Sequence, residues 1–365
     1  MAIFPLTLLS RADMAALPNP PYRTGTTMLI DQRAIGWAEF GDPDGDVVFW
    51  FPGTPGARTQ VPADLNEAAA SRHLRVICVE RPGTGDSTPQ RHQHVVDFVP
   101  DFDAVTEHLG IDRYAVVGLS GGGPFTLAVA WAHPERVTAA VVLGGMGPTR
   151  GVDSVVSHTL LLVPLAALLE RVEDAVGELV SKIIRGLGPY GDPLIDAFFW
   201  TQIGDRDAMA MTPAHKRQMV RDLVDAANRG QLAAPFRDLV MMGRHWGFEI
   251  GDVKVPVTFW SGNSDTIVPY FHAERQSKRV PGARLRTVQN RGHFAGYTDV
   301  SAVLDVIREQ WPALRPLPTE KAAAKKAAPK KAAPKKAAAK RGAATKAPPA
   351  AKRAVSSTLR ASAPA

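Results

Sequence analysis

Ser120 occupies a sequence context that is typical of a reactive serine. The stretch "AVVGLSGGGPF" (115–125) places it after an apolar run and before three consecutive glycines, in the pattern Gly-x-Ser-x-Gly. The apolar run predicts a buried strand and the residues that follow predict a helix, so the glycines allow a tight strand-to-helix turn. Such a turn presents the serine hydroxyl at the carboxyl edge of a sheet, beside a helix N-terminus that favours developing negative charge. A simple glycine-rich turn is the alternative interpretation.

A serine hydroxyl needs a general base to become a nucleophile. His293, in "NRGHFAGY", follows the last predicted strand and precedes the last predicted helix, where a loop side chain can reach over the sheet edge. Asp265, in "WSGNSDTIVP", follows another buried strand and is the expected partner that orients the imidazole and stabilises its charged form. Asp153 and Asp252 are weaker alternatives, since the first precedes a helical segment and the second precedes its strand. The order Ser120…Asp265…His293 is the order expected for this geometry.

Acyl transfer also requires donors that stabilise the negative oxygen of the tetrahedral intermediate. The backbone N–H of Gly121, directly after the serine, is one candidate. The stretch "FPGTPGAR" (51–58) follows an early strand, and its glycines let the backbone approach a substrate closely, which makes the Thr54 N–H the second candidate. The alternative is that 51–58 forms an ordinary turn.

Alternating strands and helices are predicted to position these residues. Buried apolar runs such as "VVFWFPG" (47–53) end in Gly/Pro loops and are separated by helical segments, which is typical of a mostly parallel sheet with helices on both faces. The strand signal disappears between 148 and 247, where one helix is predicted from Ser154 onward. A second is predicted with Thr212 as its N-cap and Gly230 as its stop. The strand-helix alternation then resumes.

These changes in pattern predict five segments along the chain. They are an N-terminal extension (1–24), the first part of an α/β core (25–147), a helical insertion (148–247), the second part of the core (248–315) and a basic tail (316–365). The tail contains Lys, Ala and Pro without an aromatic residue, and we expect it to be disordered because it cannot bury enough apolar surface.

The charge of the chain is concentrated in this tail. It has thirteen Lys and Arg residues against one acidic residue, so a chain with a net charge of +7 has a body with a net charge of −5. A flexible polycation binds nucleic acid or other acidic surfaces without sequence preference, through counterion release. We therefore expect such contacts from residues 316–365, the alternative being a solvated tail of little consequence.

The single cysteine excludes a disulfide framework within the chain. Cys78 lies in the apolar run "RVICVE", as expected for a small buried hydrophobe in a reducing compartment.

No basic residue precedes the short apolar stretch near the N-terminus, which argues against a secretory signal. The longest apolar run, "TLLLVPLAALL" (159–169), is shorter than the roughly 20 residues that span a bilayer and contains Pro164. We expect a cytoplasmic protein without a transmembrane segment.

The motifs together resemble those of the α/β-hydrolase family over roughly residues 25–312. "FPGTPG" is similar to the family's His-Gly-x-Pro-Gly oxyanion loop and "ERPGTGDS" to its Asp-x-x-Gly-x-Gly-x-Ser stretch. "GLSGG" is similar to its nucleophile elbow, "GNSDTIVP" to its acid loop and "GHF" to its histidine loop. Phe51 stands where many members have His, which removes a polar group but leaves the backbone donors. Glu80 stands where many have Asp, and we expect it to change only a structural contact.

The resemblance implies a serine hydrolase whose helical cap is the segment 148–247 and which needs no cofactor or metal. Ser120 at the elbow differs from the Asp of epoxide hydrolases and haloalkane dehalogenases and indicates carboxylic esters, thioesters, some amides or the carbon–carbon bonds of certain diketones. A carboxylic ester is the preferred interpretation. The alternatives are an amide or carbon–carbon hydrolase of the same fold, a catalytically silent binding protein, and a protein whose main function lies in its nucleic-acid-binding tail.

Three apolar stretches in or beside the predicted cap bear on the substrate. They are "TLLLVPLAALL", "AFFW" (197–200) and "MMGRHWGF" (241–248). Their side chains either line an apolar acyl site or pack the cap on the core, and the sequence leaves both open. This composition favours an apolar ester as substrate.

Overall fold

The structure, a computed structural model, describes residues 17–155, 162–201 and 203–311. The basic tail (316–365) and residues 1–16 lie outside these ranges, and so do the predictions made for them.

An eight-stranded sheet occupies the centre of the described chain, in the order β1-β2-β4-β3-β5-β6-β7-β8. The strands are β1 (Arg23–Met28), β2 (Ala34–Gly41), β3 (Asp46–Phe51), β4 (Leu74–Val79), β5 (Tyr114–Leu119), β6 (Val137–Leu143), β7 (Val257–Gly262) and β8 (Arg284–Val288). β1 and β2 run antiparallel to their neighbours, whereas β3 to β8 pair in parallel. The predicted mostly parallel sheet is confirmed, and the predicted runs coincide with these strands.

Helices cover both faces of this sheet. The helices of the described chain are α1 (Leu65–Ala70), α2 (Val99–His108), α3 (Gly123–Ala132), α4 (Leu162–Gly186), α5 (Gly191–Thr201), α6 (Asp205–Ala210), α7 (Pro213–Arg229), α8 (Ala233–Met242), α9 (Phe271–Arg279) and α10 (Val300–Gln310). Side chains alternate along each strand. Phe49 and Phe51 therefore join a core with α2, α3 and α9, while Val48 and Trp50 join a second core with α1 and α10.

Helices α4 to α8 lie between β6 and β7 in the chain, within the segment predicted to be helical. In α7, Thr212 accepts a hydrogen bond from the His215 N–H at 3.2 Å, and Gly230 ends the helix with φ 76°, as predicted. The predicted start at Ser154 is wrong, because Ser154 and Val155 belong to a loop in which the Val155 N–H donates to the Pro148 carbonyl at 2.7 Å. None of the described helices is both long and apolar enough to cross a bilayer.

Candidate active site

Ser120 lies at the point where β5 gives way to α3. It begins a short 3-10 turn, Ser120–Gly122, and has φ 51°, a left-handed conformation that is strained for a residue with a side chain. The turn is so tight that a side chain at Gly118 would collide with Thr126, and one at Gly122 would collide with the Phe51 carbonyl. The glycines around the serine are therefore required by close approach, as the strand-turn-helix prediction expects.

His293 and Asp265 meet at the carboxyl edge of the sheet, in the loops after β8 and β7. His293 Nδ1 lies 2.8 Å from Asp265 Oδ2, and both side chains are buried. The other carboxylate oxygen of Asp265 accepts the N–H groups of Ile267 and Val268, each at 2.9 Å. Because a carboxylate can only accept, the neutral ring carries its proton on Nδ1, which leaves Nε2 as an acceptor.

The charge around His293 favours the protonated ring. Burial opposes the charged form and lowers the pKa of His293, but the attraction and the hydrogen bond of Asp265, with the charge of Asp207, outweigh it. The pKa of His293 is therefore raised above its ordinary value. An imidazole whose protonated form is stabilised in this way is suited to act as a general base, which accepts a proton and later donates it.

The two weaker acidic candidates lie elsewhere. Asp153 accepts hydrogen bonds from Arg279 and from the Gly251 N–H, the latter at 2.9 Å, and Asp252 is exposed. Within the described chain neither makes a hydrogen bond or an ion pair with His293. The structure thus brings Asp265 to His293 and leaves both alternatives apart.

A carboxylate that sequence reasoning missed also holds the histidine loop. Asp207, on α6, is buried and accepts the backbone N–H of His293 at 2.6 Å and that of Phe294 at 3.0 Å. Burial raises the pKa of Asp207, although these two hydrogen bonds act in the opposite direction. Nothing in "DRDAMA" distinguishes this residue from an ordinary exposed helical Asp, so the sequence offers no signal for it.

Arg81 holds the loop that follows β3. Its buried guanidinium donates to the carbonyls of Pro52 at 2.6 Å and Gly53 at 2.8 Å, and it pairs with Asp238 of α8 at 2.7 Å. From the other side, Gln60 Oε1 accepts the Gly53 N–H at 2.6 Å. The loop is therefore anchored on both sides, by side chains that the motif analysis did not single out.

This anchoring places Thr54 beside Gly121. A side chain built at Gly121 would start 3.2 Å from the Thr54 backbone nitrogen, and one at Gly53 would start 3.4 Å from Ser120 Cβ. In the described loops and turns, no backbone carbonyl accepts a hydrogen bond from the Thr54 N–H. The two predicted donors and the predicted nucleophile are thus neighbours.

The two residues that depart from the family pattern are both buried. The Phe51 ring contacts the rings of Phe98 and Phe102 edge-on, with centroids 6.0 and 5.5 Å away, so it fills the core below the loop. Glu80 accepts the Asp86 N–H at 2.8 Å and the Ser87 hydroxyl at 3.1 Å. Burial raises the pKa of Glu80 to about 7. The contacts of both residues are structural.

Ser120 and His293 open onto one cavity of about 760 Å³. This is within the range of small-molecule sites. Its apolar walls come mainly from the segment between β6 and β7, which contributes Val180, Ile184, Leu194, Ile195, Phe198, Phe199, Ile203, Met219, Leu223, Ala227, Leu232, Pro235 and Phe236. Among the described residues that line it, none is an Asp, Glu, Lys or Arg. The cavity accommodates an uncharged apolar molecule beside the serine.

Two of the three apolar stretches lie in different parts of the structure. Phe198 and Phe199, of "AFFW", line the cavity. Met241, Met242 and Trp246, of "MMGRHWGF", are buried in the core of the sheet instead. The side chains of "TLLLVPLAALL" lie outside the described ones.

Comparisons with known proteins agree with this architecture. The family described as alpha/beta hydrolase fold matches residues 46–182. A proline iminopeptidase from Arabidopsis thaliana is 32% identical over 330 residues, covering 81% of this chain and 82% of that protein. Among solved structures, a hydrolase from Pseudomonas aeruginosa PA01 has a TM-score of 0.57 at 17% identity and covers 80% of this chain and 99% of its own. An esterase from Exiguobacterium antarcticum has a TM-score of 0.55 at 16% identity and covers 78% and 98%.

Proposed function

Because the chain belongs to the alpha/beta hydrolase fold family, we propose that it is a serine hydrolase that cleaves carboxylic esters with an apolar acyl group. The observation that carries this proposal is the buried Asp265–His293 pair, whose histidine lines the same apolar cavity as Ser120. A hydroxyl, a base and an orienting carboxylate on one edge of the sheet are the groups that acyl transfer needs.

In the proposed reaction, Ser120 Oγ attacks the ester carbonyl carbon while His293 Nε2 takes the hydroxyl proton. An electron pair on the negative oxygen of the tetrahedral intermediate then re-forms the carbonyl bond. The bond to the alkoxide breaks, and His293 protonates the alkoxide as it leaves. Water, deprotonated by His293, then attacks the acyl-enzyme, and the acid leaves as Ser120 regains its proton. Asp265 holds the ring and stabilises its charged form; general acid–base assistance of this kind contributes roughly 10²–10⁴-fold to the rate.

The oxygen of the intermediate carries the negative charge in both steps. We propose the Thr54 and Gly121 N–H groups as its donors, supported by their position beside Ser120 and, for Thr54, by the absence of a backbone acceptor in the described loops and turns. Arg81 supports this role because it anchors the carbonyls of Pro52 and Gly53, directly before Thr54. Loss of one such donor typically costs on the order of 10²–10³-fold in rate.

Hydrolysis of a prolyl amide is the second candidate, because the Arabidopsis relative is named a proline iminopeptidase. A terminal proline carries a protonated ring nitrogen, and burying a cation without a partner is costly. The described lining of the cavity includes no carboxylate that would pair with such a cation. The cavity therefore favours a neutral, apolar ester over a charged amino-terminal residue.

Turnover of p-nitrophenyl hexanoate and of proline p-nitroanilide by the same preparation distinguishes these two functions. The proposal predicts that kcat/KM for the ester exceeds that for the amide by far more than the intrinsic reactivity of the two substrates explains. Preferential cleavage of the prolyl amide would favour the peptidase instead.

We also propose that residues 148–247 form a cap over a core of residues 25–147 and 248–315, with 1–24 as an extension. The position of α4 to α8 between β6 and β7, and their share of the cavity wall, support this division.

Contact of residues 316–365 with nucleic acid or another acidic surface is supported by their charge. The buried Cys78 supports a cytoplasmic location.

A further inference from the structure

Helix α4 exposes its apolar residues and buries its small and polar ones. Glu173 and Ser181 are buried, and Gly177 between them approaches α8 so closely that a side chain there would collide with Ala233. These three residues are spaced four apart and form the inward face of the helix. Glu173 is compensated there by Arg91 at 3.1 Å and by a second arginine.

A neighbouring side of α4 and the adjoining side of α5 are apolar and exposed. We call the following six residues the outer apolar face: Val176, Leu179, Val180 and Ile183 on α4, and Leu194 and Phe198 on α5. They are between 37% and 66% exposed. Soluble proteins rarely leave a contiguous apolar patch uncovered unless it binds a partner.

This face continues into the proposed active site. Val180, Leu194 and Phe198 belong to the outer apolar face and also line the cavity that contains Ser120. The exposed patch therefore borders the cavity where these residues reach the surface. A partner bound here lies beside that entrance.

The charged residues of this part of α4 bear on the chemistry of the partner. Glu178 and Lys182 pair with each other at 2.7 Å. The two other exposed charges in these turns are also engaged, Asp174 with arginines and Arg185 with the Ala227 carbonyl. The face thus offers apolar contacts with compensated charge, which suits a neutral or zwitterionic surface. A second copy of this chain on the same face would obstruct the entrance, whereas a lipid surface covers the face and delivers substrate into it.

We infer that the outer apolar face binds the surface of aggregated, uncharged lipid that contains the ester, so that the substrates are water-insoluble long-chain esters. This inference rests on the proposed function for its substrate, but the binding itself does not require turnover. The apolar chain of the ester leaves the lipid along Val180 and Phe198, and its carbonyl enters beside Ser120.

Flotation with phosphatidylcholine vesicles containing a long-chain triacylglycerol tests the binding. The full chain with Ser120→Ala is used so that the lipid stays intact, at about 0.5 M salt so that the basic tail is screened. Leu179→Gln with Ile183→Gln, two residues that do not line the cavity, is expected to weaken binding by at least about tenfold. The matched control, Ile30→Gln with Val152→Gln, changes two exposed apolar residues elsewhere and is expected to bind like the parent.

Absence of flotation by the parent, or equal flotation by the Leu179/Ile183 variant, would overturn the inference. So would a dimer, seen by sedimentation, that this variant abolishes, because a second copy would then occupy the face. With Ser120 restored, all variants are expected to hydrolyse monomeric p-nitrophenyl butyrate equally. If none does, the proposed function fails while the flotation result still decides the lipid surface.

Discussion

The carboxylate of Asp207 accepts the backbone N–H of His293 at 2.6 Å, so a helix between β6 and β7 fixes the loop that carries the proposed base. The same carboxylate accepts the Phe294 N–H at 3.0 Å. Two consecutive N–H groups are thus satisfied by one side chain from outside the loop. His293 is held through its ring by Asp265 and through its backbone by Asp207.

Asp207→Asn is expected to lower kcat by about tenfold, because the amide NH₂ replaces one acceptor and leaves an N–H of the loop unsatisfied. It is also expected to shift the acidic limb of the kcat/KM profile to lower pH. The Asp207 charge raises the pKa of His293 and the neutral ring is the active base, so removing that charge lets the ring deprotonate at lower pH. Ester turnover across pH measures both effects.

Asp205→Asn is the matched control, since Asp205 begins the same helix and is exposed. Both the rate and the pH profile of this variant should match those of the parent. An unshifted acidic limb in Asp207→Asn would mean that Asp207 acts on structure alone.

Arg81→Lys tests the anchoring of the proposed oxyanion loop. Lysine keeps a charge for Asp238 but lacks the planar fork that reaches the carbonyls of Pro52 and Gly53. We expect kcat to fall by roughly 10–100-fold with little change in KM, because a loosened Thr54 N–H stabilises the transition state less. An unchanged kcat in a folded variant, checked by circular dichroism, would remove Arg81 from this role.

Glu80→Gln tests the cost of a buried carboxylate. The folded-state pKa of Glu80 is raised from 4.5 to about 7, so between these values the native state binds more protons than the unfolded state. The free energy of unfolding of the parent should therefore fall, relative to that of the variant, as the pH rises from below 4.5 to above 7. The difference is expected to be on the order of 3 kcal/mol and is measured by urea unfolding at both ends.

Glu80 also forms an ion pair with Arg58 at 3.4 Å, which acts against burial on its pKa. A stability difference between parent and Glu80→Gln that stays constant with pH would mean that Glu80 has the same pKa in the folded and unfolded states, so that the ion pair offsets burial. A difference that changes in the opposite direction would mean that the ion pair outweighs burial.

Deletion of residues 316–365 separates the tail from the proposed active site. The full chain is expected to be retained on DNA-cellulose at low salt and released as salt rises, because its affinity depends on counterion release. The truncated protein should lose this retention and keep its ester turnover. Retention that survives the deletion would place nucleic-acid binding on the acidic body, against its charge.

Most of the fold could be predicted from short patterns in the sequence. The turn at Ser120, the caps Thr212 and Gly230 and the buried strands are each specified by residues within a few positions of one another. Backbone strain, helix capping and burial of a strand on both faces depend on residues close together in the chain, so a short stretch of sequence is enough to predict them.

Long-range contacts account for what the sequence did not reveal. Asp207 acts on a residue 86 positions away, and its own helix is too short to show an amphipathic pattern. Arg81 sits in a recognisable motif, yet its partners are backbone carbonyls that have no sequence signature. For α4, an apolar stripe predicts an amphipathic helix, but only the structure shows that Gly177 packs on α8 and that four of the apolar residues are exposed.

The most direct test of the central claim is turnover of p-nitrophenyl esters of increasing acyl length by the parent and by Ser120→Ala, together with fluorophosphonate labelling. We expect hydrolysis by the parent with a preference for longer acyl chains, labelling at Ser120, and loss of both in the variant. Inactivity of the parent on every ester, without labelling of Ser120, would contradict the serine-hydrolase account and favour a catalytically silent binding protein on the same fold.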